Sequence, residues 1–360
     1  MAINAVSLFA GGGGLDLGFS AAGFNIVYST DIDHHSCETL KLNQNRREFY
    51  SEHLVEQKDI NSLNTDDVLK KIELSKKDID FVIGGPPCQA FSVFGKRKGL
   101  EDPRGNLVYE YARIINELKP AGFLFENVSG LKTIHGGALY NNLIETLSFG
   151  GEYLVTAHEY DVANFGVPQF RSRIIIIGTR MGSPIAKMET THTSPNTLFN
   201  AHKPYNTVKQ VFKNMPIPGG ENTLFNHTGR EHSQRIIDRY RSLEFGERDS
   251  LTRINKLNPI RPSYTIIVGS DKGGGKGHVH PYYPREVTPR ESARLQSFPD
   301  WWEFYGNGRH VIRQVGNAVP PLFGAQLANH IKKELFNSKE HHSYDEFVKI
   351  LGLAFLEDDN

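Results

Sequence analysis

One stretch near the start limits what this chain can become: an apolar strand that runs straight into four glycines and then into a helix. Ala5-Val6-Ser7-Leu8-Phe9 is short and apolar, Ala10-Gly11-Gly12-Gly13-Gly14 follows, and the pattern predicts a helix over residues 15–22. Glycines let a backbone approach a ligand closely, and the helix N-terminus favours a carboxylate or a phosphate. A second strand, predicted over residues 24–29, leads to Asp31. That acid stands about 20 residues past the first glycine, where a carboxylate can take both hydroxyls of a ribose. The pair points to an adenosine cofactor in an α/β fold. Two classes satisfy the spacing: a nicotinamide dehydrogenase, and an S-adenosylmethionine enzyme whose methionine carboxylate meets the loop.

A second cluster carries chemistry. Phe81-Val82-Ile83 reads as the end of a buried strand, and Gly84-Gly85-Pro86-Pro87 forces an abrupt exit just before Cys88. Ligands bind beyond the carboxyl ends of strands in open α/β sheets, so a thiol stands at the expected active edge. A free cysteine is otherwise a small buried hydrophobe. Residues 122–125 form another predicted strand and end in Glu126, which should face the same crevice. Arg171 and Arg173 alternate along an extended segment and suit a phosphate or a polar base edge.

The 360 residues carry equal numbers of basic and acidic side chains, 41 each, yet the balance is uneven. Residues 182–285 hold 15 Lys and Arg against 8 Asp and Glu and are rich in Pro, Asn, Thr, His and Gly. This reads as a separate loop-rich domain built on short strands, including one over residues 263–268, with a positive face of the kind phosphate backbones need. A solvated surface is the alternative. Two cysteines, Cys37 and Cys88, allow no disulfide framework, and no apolar run reaches membrane-spanning length. A cytoplasmic protein without membrane contact is expected. His278 and His280 lack acidic or cysteine neighbours in sequence, so no metal site is expected.

The run Phe81 to Ser92 resembles the Pro-Cys loop of the cytosine-C5 DNA methyltransferases, and the resemblance extends from Phe9 to Pro321. Phe9-Ala10-Gly11-Gly12-Gly13-Gly14-Leu15 is similar to the family's first motif. The resemblance implies that Phe9, Ala10, Gly11, Gly13, Gly14 and Leu15 hold the methionine part of S-adenosylmethionine. Asp31 matches the ribose acid, and Ile32 falls where members often stack an aromatic on adenine. Asp59-Ile60 resembles the third motif, whose Asp accepts from the adenine amine; Pro86 and Leu107 match pocket-lining positions. Glu126-Asn127-Val128 is similar to the carboxylate motif, Gln169 to Arg173 matches the Gln-x-Arg-x-Arg motif, and residues 288–296 look like the ninth. Residues 314–321 resemble the tenth, which implies that Asn317 and Ala318 complete the cofactor site beside the glycine loop.

Taken together, the resemblance implies a Rossmann-like class I S-adenosylmethionine-dependent methyltransferase: an α/β fold with a mostly parallel sheet and a smaller, loop-rich DNA-recognition domain. Residues 1–181, completed by 286–336, would be catalytic, 182–285 would recognise the target, and 337–360 would form a tail. The implied reaction methylates carbon 5 of a flipped cytosine in double-stranded DNA through a Cys88 adduct, with Glu126, Arg171 and Arg173 as the other catalytic residues. DNA contacts are expected from Gln89, Ser92, Lys96, Arg97, Lys272 and Lys276. A type II restriction-modification setting is implied, with a cognate endonuclease that makes no stable complex, and a monomer. A tRNA cytosine methyltransferase, a DNA-binding protein without catalysis and a dehydrogenase are the competing readings.

Overall fold

The computed structural model describes residues 2–87, 107–180, 182–194, 202–221, 224–266, 268 and 277–357. Cys88, Gln89, Ser92, Lys96, Arg97, Lys272 and Lys276 lie outside the described residues.

Seven strands form the central sheet: β1 (Ile3–Leu8), β2 (Phe24–Asp31), β3 (Leu54–Gln57), β4 (Phe81–Gly84), β5 (Gly122–Val128), β6 (Leu154–Asp161) and β7 (Ser172–Thr179). Their order is β3-β2-β1-β4-β5-β7-β6; β1 to β5 run parallel, and β7 runs antiparallel to both its neighbours. Phe81, Val82, Ile83, Phe123, Leu124 and Phe125 are fully buried, as strands covered on both faces require. The chain leaves β1 toward β2 on one side and resumes at β4 on the other. Between β1 and β4 the strand order therefore switches direction, and the crevice for a ligand opens there. Leu8 pairs with Gly84 across the switch, so the glycine loop and the Gly-Gly-Pro-Pro turn leave the sheet side by side.

Helices α1 (Gly14–Ala21), α2 (His34–Asn43), α3 (Thr65–Lys71), α4 (Leu107–Leu118) and α5 (Ala138–Ser148) accompany these strands. On α4 the apolar residues Tyr111, Ile114, Ile115 and Leu118 recur at helical spacing, and all are buried. From residue 182 on, regular structure is sparse: β8 (His192–Thr193), β9 (Lys203–Pro204), α6 (Val208–Val211) and α7 (Gln234–Ser242). Among the described residues of 263–268 the expected strand is instead a single bridge, Gln169 with Ser263. The carbonyls of Tyr264 and Thr265 accept from His278 Nε2 at 3.1 and 3.2 Å, which removes them from any ladder.

The chain then returns to the sheet through α8 (Pro289–Leu295), α9 (Gly308–Asn317), α10 (Pro321–Phe336) and α11 (Tyr344–Leu351). Thr288 with Glu291 and Ser343 with Glu346 form the capping boxes that open α8 and α11. α10 packs against α1 so tightly that a Cβ at Gly18 would lie 2.7 Å from Pro321 O and Ala325 N. Among the described residues no helix is long and apolar enough to cross a membrane.

Candidate active site

Two edges of the switch-point crevice carry functional groups. At the first, β4 and β5 are in register with Gly84 opposite Phe125, so Gly85 adjoins Glu126. A Cβ at Gly85 would sit 3.0 Å from Glu126 Oε2, so a side chain there would press on the carboxylate. Asn127, buried, donates from Nδ2 to Pro86 O at 3.0 Å and fastens the turn that leads to Cys88. From the antiparallel neighbour β7, Arg173 places Nε 2.8 Å from Glu126 Oε1, with both side chains largely shielded. A carboxylate, a guanidinium and the root of the Pro-Cys turn thus converge.

Arg171 and Arg173 have different partners. Arg171 precedes β7, is fully buried and donates from Nη2 to Ala318 O at 2.9 Å, while its Nε and Nη1 have no protein partner among the described residues. Burial, with Arg173 beside it, lowers its guanidinium pKa to about 9. Arg171 thereby ties the strand entry to the segment that resembles the tenth motif.

The second edge is the glycine loop. Phe9 adopts a left-handed φ of 55°, a strained backbone for an aromatic residue and one that clusters at ligand sites. Ala10 N donates to Thr30 O at 3.0 Å, and Gly13 N to Ala10 O at 3.0 Å. Asp31 lies directly opposite: Oδ2 accepts from Gly11 N and Oδ1 from Asp33 N, each at 2.8 Å. Each oxygen keeps a second lone pair for a hydroxyl donor. Burial raises the Asp31 pKa against the pull of those two bonds. Ile32 is 67% exposed at the mouth. Lys58 N donates to Asp31 O at 3.0 Å, which brings Asp59 and the buried Ile60 close to Asp31. Leu107 is half-buried at the start of α4, and Pro86 is buried.

The segment that resembles the tenth motif does abut the glycine loop. A Cβ on Gly14 would lie 2.0 Å from Val319 O, and one on Gly12 3.2 Å from Gln314 Cβ. Leu15 and Ala318 are buried at this junction, and Asn317 is exposed. Asp33, which caps α2, is held by Arg313 at 2.7 Å. The residues present fit S-adenosylmethionine: a carboxylate with spare acceptor capacity, a helix N-terminus, and a loop whose glycines leave no side chain in the way.

The sequence model of the C-5 cytosine-specific DNA methylase family matches residues 3–333. This chain belongs to that family. It is similar to the type II methyltransferase M.NgoFVII of Neisseria gonorrhoeae, with 36% identity over 378 residues covering 96% of this chain and 94% of the relative. It is also similar to M1.HphI of Haemophilus parahaemolyticus, again 36% identical, over 92% of this chain and 87% of the relative. Among solved structures, a protein encoded within an E. coli prophage and described as a DNA modification methyltransferase superposes with a TM-score of 0.72. Identity there is 29%, and 93% of this chain and 99% of that one are covered. The Schizosaccharomyces pombe Dnmt2 methyltransferase, 16% identical with a TM-score of 0.64 over 92% of this chain and 98% of that one, shares the fold. The protein is a DNA (cytosine-5-)-methyltransferase of the type II restriction-modification kind.

In this methylase Arg313 carries no local sequence signal, and Asn127 and Gln314, though inside recognisable motifs, have partners that the motifs do not specify. Asn127 is placed by the pairing of β4 with β5, and Gln314 and Arg313 by the return of α9 across the chain. The spacing of hydrophobic residues predicts helices and strands, and it is silent on such long-range contacts.

Proposed function

We propose that the methylase transfers a methyl group from S-adenosylmethionine to carbon 5 of a cytosine swung out of duplex DNA, through a covalent bond from Cys88 to carbon 6. What carries this reading is the Glu126–Arg173 pair standing against Gly85, three residues before Cys88. The Cys88 thiolate adds to carbon 6 of the ring, and Glu126 shares a proton with N3, offsetting the negative charge that arrives on the base. Arg173 takes the base O2, which competes with Glu126 for its N–H groups; Arg171, locked to Ala318 O, holds the strand entry that aims Arg173. Carbon 5 has then become an enamine-like nucleophile. S-adenosylmethionine, when bound at the glycine loop, supplies the methyl group as a sulfonium. Loss of the carbon 5 proton to water and departure of the Cys88 sulfur restore the ring double bond, and the N3 proton returns to Glu126.

Asp31 would hold the ribose, Asp59 the adenine amine and Ile32 an adenine face, with Phe9 and the glycine loop at the methionine part. Extruding the base costs a few kcal/mol, and Gln89 and Ser92 are assigned to the gap it leaves. Lys96, Arg97, Lys272 and Lys276 would follow phosphates, and residues 182–285 would read base edges from the major groove.

The test begins with bisulfite sequencing of a plasmid carried with the gene, which gives the recognised site. A duplex of that site containing 5-fluorocytosine, mixed with protein and donor, is expected to leave a complex that survives denaturing electrophoresis. Cys88→Ser should bind the duplex and leave none. A covalent complex with Cys88→Ser, or methyl transfer to tRNA and none to duplex DNA, would sink the proposal.

A further inference from the structure

Arg113 takes part in none of these steps, yet it joins two walls of the adenosine end of the crevice. It lies on α4, and its guanidinium donates four hydrogen bonds. Nε reaches Glu110 Oε2 at 2.7 Å and Nη1 reaches Glu117 Oε1 at 2.9 Å. Nη2 reaches two backbone carbonyls, Leu63 O at 3.0 Å and Ile60 O at 3.3 Å. Ile60 O belongs to the 3-10 turn Ile60–Ser62 and Leu63 follows it; Asp59 caps that turn by accepting from Asn61 N at 2.9 Å. Glu117 reinforces the seam from its other oxygen, accepting from Thr65 Oγ1 at 2.7 Å.

The turn presents Asp59, assigned above to the adenine amine, with Ile60 beside it, and α4 begins at Leu107, a pocket-lining position. They stand far apart in the chain, so their separation in space depends on contacts across the seam. Ion pairs at i,i+3 and i,i+4 on a half-exposed helix face contribute little, so helix support alone does not explain a guanidinium turned onto two carbonyls of another element. A planar fork that satisfies carbonyls on one side and carboxylates on the other fixes distance and angle together.

We propose that Arg113 is a positioning residue for the cofactor, setting the gap between the Asp59–Ile60 turn and Leu107 that receives adenine. The inference rests on the S-adenosylmethionine reading above. Arg113→Ala and Arg113→Lys, made in the full chain, should be titrated by calorimetry with S-adenosylmethionine and with methylthioadenosine, which keeps the adenosine and lacks the amino acid. Arg113→Ala is expected to weaken both by roughly tenfold, the scale of losing charged hydrogen bonds. KM for S-adenosylmethionine should rise in parallel, while KM for duplex DNA and kcat at saturating cofactor stay unchanged. Arg113→Lys should recover part of the affinity, because an ammonium restores the charge but not the fork. Unchanged cofactor affinity in Arg113→Ala would overturn the proposal, as would equal losses toward cofactor and DNA accompanied by a lower melting temperature. A wild-type protein that binds neither probe would instead overturn the cofactor reading and this inference with it.

Discussion

Asn127 contributes geometry rather than chemistry. Its amide is the donor to Pro86 O, two residues before Cys88, and its side chain is almost wholly buried. Asn127→Ala would remove that donor, at a cost of about 1–3 kcal/mol, and would free the turn that precedes Cys88. We expect turnover to fall by about tenfold or more, since a displacement of the order of 1 Å at a reacting group is expensive, with the affinity for S-adenosylmethionine unchanged in a calorimetric titration. Full activity in Asn127→Ala would show that the turn holds itself through its prolines. The two arginines illustrate how neighbours in one motif divide the work. Arg173 pairs with Glu126, and Arg171, two residues earlier, has a backbone carbonyl of the returning segment as its partner.

The contact between α1 and α10 decides how the glycine loop is presented. Gly18 lets the helix backbones meet; an added methyl would fall 2.7 Å from backbone atoms of Pro321 and Ala325, and neither is a flexible side chain that could move aside. Gly18→Ala should gain helix propensity of roughly 1 kcal/mol and lose more by forcing the helices apart, since overpacking typically costs about 1–3 kcal/mol. The net expectation is a lower urea midpoint, together with weaker cofactor binding because α1 carries the loop at its N-terminus. A variant as stable as the parent would mean that the helices separate freely, contrary to the close packing described.

At the scale of the whole molecule, buried histidines join the 277–287 return segment to the rest. His278 holds two carbonyls of the 264–265 segment, and His280 stacks on Phe212 with ring centroids 5.1 Å apart. Burial lowers both rings to about 4. The folded protein therefore refuses protons that the unfolded chain accepts below about 6.5, so this stability is full above that pH and is lost as pH falls toward 4. Between about pH 7 and pH 5 each ring should account for roughly 2 kcal/mol of acid-induced loss. His278→Gln, whose amide can still donate to a carbonyl, is expected to show a shallower fall in urea midpoint over that interval than the parent, whatever its stability at neutral pH. An identical fall would exclude His278 as a source. The same scale separates what was legible in the chain from what was not. Strand ends, glycine turns, capping boxes and the period of α4 follow from φ/ψ restrictions and side-chain spacing within a few residues, so the sequence by itself determined them, and with them the strand ends that carry Asp31, Glu126 and the Pro-Cys turn. Only the tertiary structure decided that Leu8 lies beside Gly84, that Arg171 reaches Ala318 O, that Arg113 clasps a turn about fifty residues upstream, and that the 263–265 segment gives its carbonyls to a histidine rather than to a strand. Those pairings join residues distant in the chain, and their free energy comes from packing and desolvation that exist once the sheet has assembled.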